Sequence, residues 1–334
     1  MTNFQSMGRR IGGLGMMNFQ SMERNKRLKR WSGLPVIFHK GTLEYIMGKI
    51  PDFERKPFSA DGMNKFYDVI VRKPMNGEGE IPVGIVSKSY SLIQHRDILT
   101  LVIDSFKNIP HFNETEFRMF MTPYGERIEF LMILPSKYHF DPGDGHKVGF
   151  SFWCRNSVDG STKLSLLFGW LRLICSNGMV VFDPKSLMDE RRHTKSLDQY
   201  YVNNLIIKGF AAYEKEKKVL EQLYKTPLNK CAFERWINVS VKEKWGVKAA
   251  VRTYHIAMSG RDVNVVPPNK KEPPTKKKVK YTDEVPGAVA PANNFYAVVQ
   301  ALSWLARQRR DIDEQFQWSA QIPALIDDYL KIAA

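Results

Sequence analysis

Apolar and polar positions fall into three regimes along the chain. Between Trp31 and Ile109 they are mixed. "GTLEYIMGKI" (41–50) has helical spacing, and "NKFYDVIVR" (64–72) and "VGIVSKSYSLI" (83–93) alternate as strands do. "HRDILTLVIDSFKNI" (95–109) sets Ile98, Leu101, Val102, Ser105 and Phe106 on one face of an amphipathic helix. From 115 to 183 the period shortens to two. "EFRMFMTPYGERIEFLMILP" predicts a hairpin turning at Pro123–Gly125. "KVGFSFWCRNSVDGSTKLSLLFGWLRLICSNGMVVF" predicts two more, turning at Val158–Ser161 and at Ser176–Gly178. Asp-Gly and Asn-Gly supply the left-handed backbone that tight hairpins need. The segment therefore predicts an antiparallel meander of four or five strands. After Pro184 helical spacing returns in "DQYYVNNLIIKGFAAYEKEKKVLEQLYKTPL" and "CAFERWINVSVKEKWG".

Residues 262–292 are rich in Pro, Lys and Ala without periodicity and predict a linker. A helical segment follows over 293–334, with Asn293 or Asn294 as its N-cap. Residues 1–30, in which "NFQSM" occurs twice, predict a disordered basic arm. The fold class expected is α+β: an antiparallel β-meander with flanking helices over 31–261, then the linker and the C-terminal helix.

Charge changes this picture most. The chain has 334 residues, 43% hydrophobic, with a net charge of +15. Such an excess points to a polyanionic partner, most often nucleic acid. Residues 1–30 hold seven Lys or Arg against one acid, and residues 269–280 hold six Lys against one Glu. The folded part is therefore only mildly basic, and the arms are candidates for phosphate contact. Three cysteines without a CxxC spacing argue for reduced thiols and against a disulfide framework or structural zinc. No apolar run is long enough to span a bilayer, and the first residues lack a leader-type apolar stretch. A protein of the host cell cytoplasm, without membrane partners, is expected.

Chemistry is sparse. There is no GxxxxGK[ST] loop, no HExxH and no nucleophile elbow. "HFDPGDGH" (139–146) holds two His and two Asp, but its Gly and Pro suit a surface loop equally well. No enzyme activity, cofactor or metal is expected. Cys175 lacks a neighbouring His to form a thiolate and is expected to pack in a strand. Arg155 and Arg172 lie inside apolar strands, where an unpartnered guanidinium is costly. Arg155 is expected on the solvent face. For Arg172 the residues leave open a solvent-facing position or an anion partner such as phosphate or Asp159. If the strands match in length the two polar turns share one edge of the meander, although Asn, Asp, Ser and Gly are also what turns require. Aromatics interleave with bases in "KSYSLIQHR", "FSFWCRN" and "FGWLRL", a pattern suited to base stacking beside phosphate contacts.

Three stretches in order, "VGIVSKSYSLIQHRDIL", "CRNSVDGSTKLSLLFGWLRLICSNGMV" and "NNFYAVVQALSWLARQ", resemble the phage and plasmid-like family named domain of unknown function 932. Val86, Ser87, Tyr90 and Gln94 match its V-S-x-x-Y-x-x-x-Q pattern. Asn156, Ser157, Asp159, Gly160 and Ser161 match its N-S-x-D-G-S turn, and Arg172, Cys175, Ser176 and Asn177 its R-x-x-C-S-N segment. The last motif departs, with Gln300–Ser303 where Asn-Ala-x-Thr is usual. The resemblance covers roughly residues 80–310 and implies a mobile-element origin without implying an activity.

The function expected is binding or annealing of single-stranded DNA in replication or recombination, for which a homo-oligomer would suit. Arg27, Lys29, Arg30, Lys88, Tyr90, Arg155, Lys163, Arg172, Lys276, Lys277 and Lys278 are the candidate contacts. The alternative is an accessory protein that binds and inhibits a host defence enzyme.

Overall fold

The computed structural model describes residues 29–59, 62–173, 177–180, 188–194, 199–265 and 279–333. The chain enters through β1 (Arg30–Trp31) and β2 (Leu34–Pro35), then β3 (Ile37–Gly41) and α1 (Leu43–Lys49). A first sheet follows from β4 (Phe53–Ser59), β5 (Met63–Arg72) and β6 (Ile81–Ser87), and then α2 (His95–Phe106). The meander comprises β7 (Glu116–Met121), β8 (Arg127–Ile133), β9 (His139–Phe140), β10 (Val148–Ser157), β11 (Leu164–Arg172), β12 (Asn177–Val180) and β13 (Met188–Arg191). The remainder is α3 (Gln199–Lys225), α4 (Lys230–Trp236), a π-helical turn (Ile237–Val241), α5 (Lys242–Ser259), β14 (Arg261–Val265), β15 (Val279–Glu284), α6 (Phe295–Arg307) and α7 (Ile312–Ala333). The α+β class holds, and every strand pair named below is antiparallel.

The large sheet has the order β12-β11-β10-β8-β7-β3, with β13 also on β11 and β9 on β10. Its central strands β10 and β11 are buried along their whole length. Both faces are covered by helices, which is why "FSFWCRN" does not read as a clean apolar/polar alternation. On one face Phe150, Phe152 and Phe168 meet Phe106 of α2 and Phe210 and Tyr213 of α3, with ring centroids 5.3–6.0 Å apart. α3 approaches this closely because residue 209 is glycine; a Cβ there would lie 2.4 Å from the Phe168 ring.

On the other face a cross-strand row runs Phe38–Phe120–Glu129–Arg155–Ser165 from β3 to β11. α7 covers this row through Asp313 and Phe316. The C-terminal helices are built into the main core. Asn294 caps α6 by accepting from the Ala297 N–H at 3.0 Å, and Phe295 stacks on Tyr329 of α7 with centroids 3.9 Å apart. Within the expected linker, β14 and β15 pair as a two-stranded ribbon.

Candidate nucleic-acid interface

Tyr90, from the first family-like pattern, meets Ser157 and Asp159, from the second, at the β10–β11 turn. Asn156 is fully buried between two imidazoles. Its Nδ2 donates to His95 Nδ1 at 2.8 Å and to the Ile93 carbonyl at 3.1 Å, and its Oδ1 accepts from His193 Nε2 at 2.7 Å. His95 Nε2 donates in turn to the Gly125 carbonyl at 2.8 Å. These partners fix a neutral tautomer at each ring, and burial lowers both imidazoles to about 4. Tyr90 stacks on His193 at 5.2 Å and donates its hydroxyl to the Ser157 carbonyl at 3.0 Å. Asp159 accepts from the Ser161 backbone at 2.9 Å and pairs with Arg127 at 2.9 Å. Gly84 presses so close that a Cβ would lie 2.7 Å from Asp159 Cα. The turn is clamped against the first sheet, and its polar groups are used internally.

Asn177 and Gly178, expected in the second polar turn and beside the first, lie instead in β12, where Asn177 pairs with Arg172 at the opposite end of β11, because successive connections of a meander alternate ends. Cys175 and Ser176 are outside the described residues.

Arg172 takes the anion partner of the two positions open to it, and that anion is Asp144. The two pair at 2.5 Å with side chains 2% exposed. Arg172 also donates to the Gly287 carbonyl at 2.7 Å and the Tyr296 hydroxyl at 3.2 Å. Gly287 has φ +69°, and a Cβ there would come 2.8 Å from the guanidinium. The "HFDPGDGH" loop thus serves as the acid that holds Arg172. Its Asp141 accepts from the Gly143, Asp144 and Gly145 backbones at 2.8–3.2 Å.

Arg155, expected on the solvent face, is buried. α7 covers that face of β10, and Arg155 pairs with Asp313 and lies 3.6 Å from Glu129. Its guanidinium also sits over the rings of Trp31 and Phe316, 5.2 and 4.5 Å from the centroids. Burial outweighs the pull of Arg155 and Arg307 and holds the Glu129 carboxyl above its ordinary range.

The other candidate cations are likewise engaged. Lys88 pairs with buried Asp68, and Lys163 with Glu190 at 3.0 Å. Lys29 and Arg30, expected in a free arm, are tied to the end of α6. Lys29 Nζ donates to the Arg307 and Arg309 carbonyls at 2.5 and 3.2 Å, and the Arg30 N–H to the Arg310 carbonyl at 3.0 Å. The last carbonyls of a helix have no partner within it, and Lys29 supplies one. Arg27, Lys276, Lys277 and Lys278 lie outside the described residues. The aromatics of "FSFWCRN" and "FGWLRL" are buried core. The candidate contacts that are described are therefore dispersed, and they do not form one surface.

A different surface has the expected character. β14 and β15 pair Val263 with Tyr281 and Asn264 with Lys280. The segment that connects these strands contains Lys270, Lys271, Lys276, Lys277 and Lys278 with one acid, Glu272. α5 anchors the ribbon, since Arg252 grips Asp262 with two bonds of 2.8 and 2.5 Å and Trp304 donates to the same carboxylate at 3.0 Å. Tyr281 is 42% exposed. The Arg261 guanidinium lies 5.3 Å from its ring centroid, and the His255 ring sits edge-on at 5.5 Å. Lys248, one turn before Arg252, and Lys280, beside Tyr281, are exposed and have no ion pair among the described residues. A part-exposed aromatic ring on a ribbon that also carries unpaired cations has the elements of base stacking and phosphate contact. The sequence signal is present in the alternation of "VKYTDE", but the Pro- and Lys-rich surroundings mask it.

Among the described residues no helix is long and apolar enough to cross a membrane, and no cluster of three His, Cys, Asp or Glu could hold a metal ion. No curated protein and no solved structure matches the chain. The family model described as a domain of unknown function (DUF932) matches residues 82–262, more than half of the chain, and the chain belongs to that family.

Proposed function

We propose that the protein binds single-stranded DNA in the replication or recombination of a mobile element, using the β14–β15 ribbon and the adjoining face of α5. The observation that carries this reading is the contrast in charge pairing. Arg155, Arg172, Lys88 and Lys163 are neutralised by acids of the same chain, while Lys248 on α5 and Lys280 on β15 have no ion pair among the described residues, and Tyr281 is exposed on the same ribbon. The lysine-rich segment is tethered at the end of this ribbon. Lysines capture the backbone and release counterions, Tyr281 stacks a base, and no bond is made or broken.

The test is fluorescence anisotropy with single-stranded and duplex DNA of equal length over a salt series. Affinity for the single strand should fall steeply with salt. Tyr281→Ala should weaken it about 5- to 150-fold, the worth of about 1–3 kcal/mol of stacking. Neutralising Lys248 and Lys280 should reduce the salt slope by about one for each phosphate that then goes unpaired. Equal, weak binding of both DNA forms that ignores Tyr281 would overturn the reading, and capture of a tight host-enzyme complex would favour an inhibitor instead.

A further inference from the structure

β3 ends the large sheet, and its outer edge pairs with no other described strand. A free edge is a row of unpaired N–H and C=O groups, and proteins normally blunt it with charge, proline, a bulge or a covering element. Among the described residues β3 has no proline, bulge or covering strand, and its only charge is one lysine. Its register against β7 is regular from Ile37 to Gly41, and no proline lies within it. Its one lysine, Lys40, is neutralised by Glu116 at 2.7 Å. The surface around it is apolar: Ile37 is 41% exposed, Phe38 48%, Tyr45 45% and Leu34 38%. Phe38 is held in place by the Phe120 ring, with centroids 4.9 Å apart.

We propose that this edge is where two copies of the chain join, β3 against β3 antiparallel about a two-fold axis, so that the two large sheets become one. The argument for a second copy is self-complementarity. The donors and acceptors along the free edge of an antiparallel strand match those of the same edge rotated by 180°, so an isologous contact satisfies both rows at once. Charge agrees. The excess charge lies mostly in residues 1–30 and 269–280, and at this edge the contact is locally neutral and apolar. The remaining repulsion between two +15 bodies is long-range and screened by salt. Added salt should therefore tighten the dimer, opposite to its effect on binding a polyanion.

The experiment is sedimentation velocity on the full chain over a dilution series at low and high salt. A dimer that dissociates on dilution and strengthens with salt is expected. Ile37→Lys combined with Phe38→Lys should weaken association at least about ten-fold with far-ultraviolet circular dichroism unchanged, because two like-charged strands then face each other. Ile207→Lys, at an exposed site on α3, should leave it unchanged. Should the double variant not fold, hydrogen exchange on the unaltered chain gives the same answer, as β3 amides should gain protection with rising protein concentration. A monomer at every concentration, or a dimer that survives the double variant, would overturn the proposal. So would a dimer that forms only after removal of residues 1–28, which would make that segment the occupant of the edge.

Discussion

Replacing Arg172 with methionine should destabilise the protein severely without touching a ligand surface. The guanidinium and the Asp144 carboxylate are each 2% exposed and 2.5 Å apart. Removing one partner leaves the other charged, buried and unpaired, which costs about 3–5 kcal/mol. The bonds to the Gly287 carbonyl and the Tyr296 hydroxyl go as well. The methionine keeps most of the apolar stem, so little of the loss is cavity. Asp144→Asn should cost a similar amount, because it strands the guanidinium while keeping the bond from the His146 N–H.

The pair together should cost far less than the sum, with a coupling of about 2 kcal/mol or more, since no unpaired charge remains. Urea unfolding followed by tryptophan fluorescence reads the effect as a shift in midpoint. Additive single variants, or an Arg172→Met cost below about 1 kcal/mol, would refute the reasoning. Under the same reading Arg172→Met leaves the salt slope of DNA binding unchanged, whereas a phosphate-contacting arginine would lower it.

Three further outcomes follow from the packing and the titrations. Unfolded imidazoles titrate near 6.5 and His95 and His193 near 4 in the folded chain, so the unfolded chain binds more protons between these values. Their stabilisation is full above about pH 6.5 and declines as pH falls, by up to about 3 kcal/mol at His95. Urea midpoints at acidic and neutral pH should show this drop, and His95→Gln should flatten it. Trp31 is fully buried beneath Arg155, and Trp31→Ala should cost about 3–5 kcal/mol, read as a lowered urea midpoint. Gly209→Ala brings about 1 kcal/mol of helix propensity but drives a Cβ into the packed Phe168 ring. Overpacking costs about 1–3 kcal/mol, so a net loss in calorimetry is expected, and a stabilised variant would contradict the close approach of α3.

The meander is legible because its signals are local. Period-two apolar spacing and the Asp159-Gly160 turn position β10 and β11, and the end of α3 at Lys225 follows from Pro227 two residues on. "CAFERWINVSVKEKWG" reads as one helix, yet it divides into α4, a π-helical turn and α5, with Gly246 at φ +82° inside. Both faces of the sheet are covered, and nothing local says which helix covers which face. The expectation that Arg155 faces solvent fails for that reason, since its partner Asp313 is 158 residues away. Lys29 is held by carbonyls 278 and 280 residues away, and pairings of that kind are set by tertiary packing. The ribbon escapes a local reading because proline and lysine lower β-propensity, while the pairing of Val263 with Tyr281 is a cross-strand contact.

The resemblance and the charge lead to different parts of the molecule, and electrostatics explains why. A phosphate could take over Arg172 or Arg155 only by displacing Asp144 or Asp313. Displacing Asp144 would leave a nearly fully buried carboxylate unpaired, at the same cost of about 3–5 kcal/mol as removing its arginine. A phosphate contact in water returns much less, because its gain is largely counterion release. Arginines satisfied in this way hold layers together: Arg172 joins β11 to α6 and the 141–146 loop, and Arg155 joins β10 to α7. Asn156 does the same between α2 and the segment at His193. A cation available to a polyanion must instead be one whose release strands no acid. Among the described residues Lys248 on α5 and Lys280 on β15 are two that meet that condition. Moving the excess charge is therefore the sharpest contrast: Lys248→Gln with Lys280→Gln should alter DNA affinity and leave the urea midpoint in place, while Arg172→Met should do the reverse.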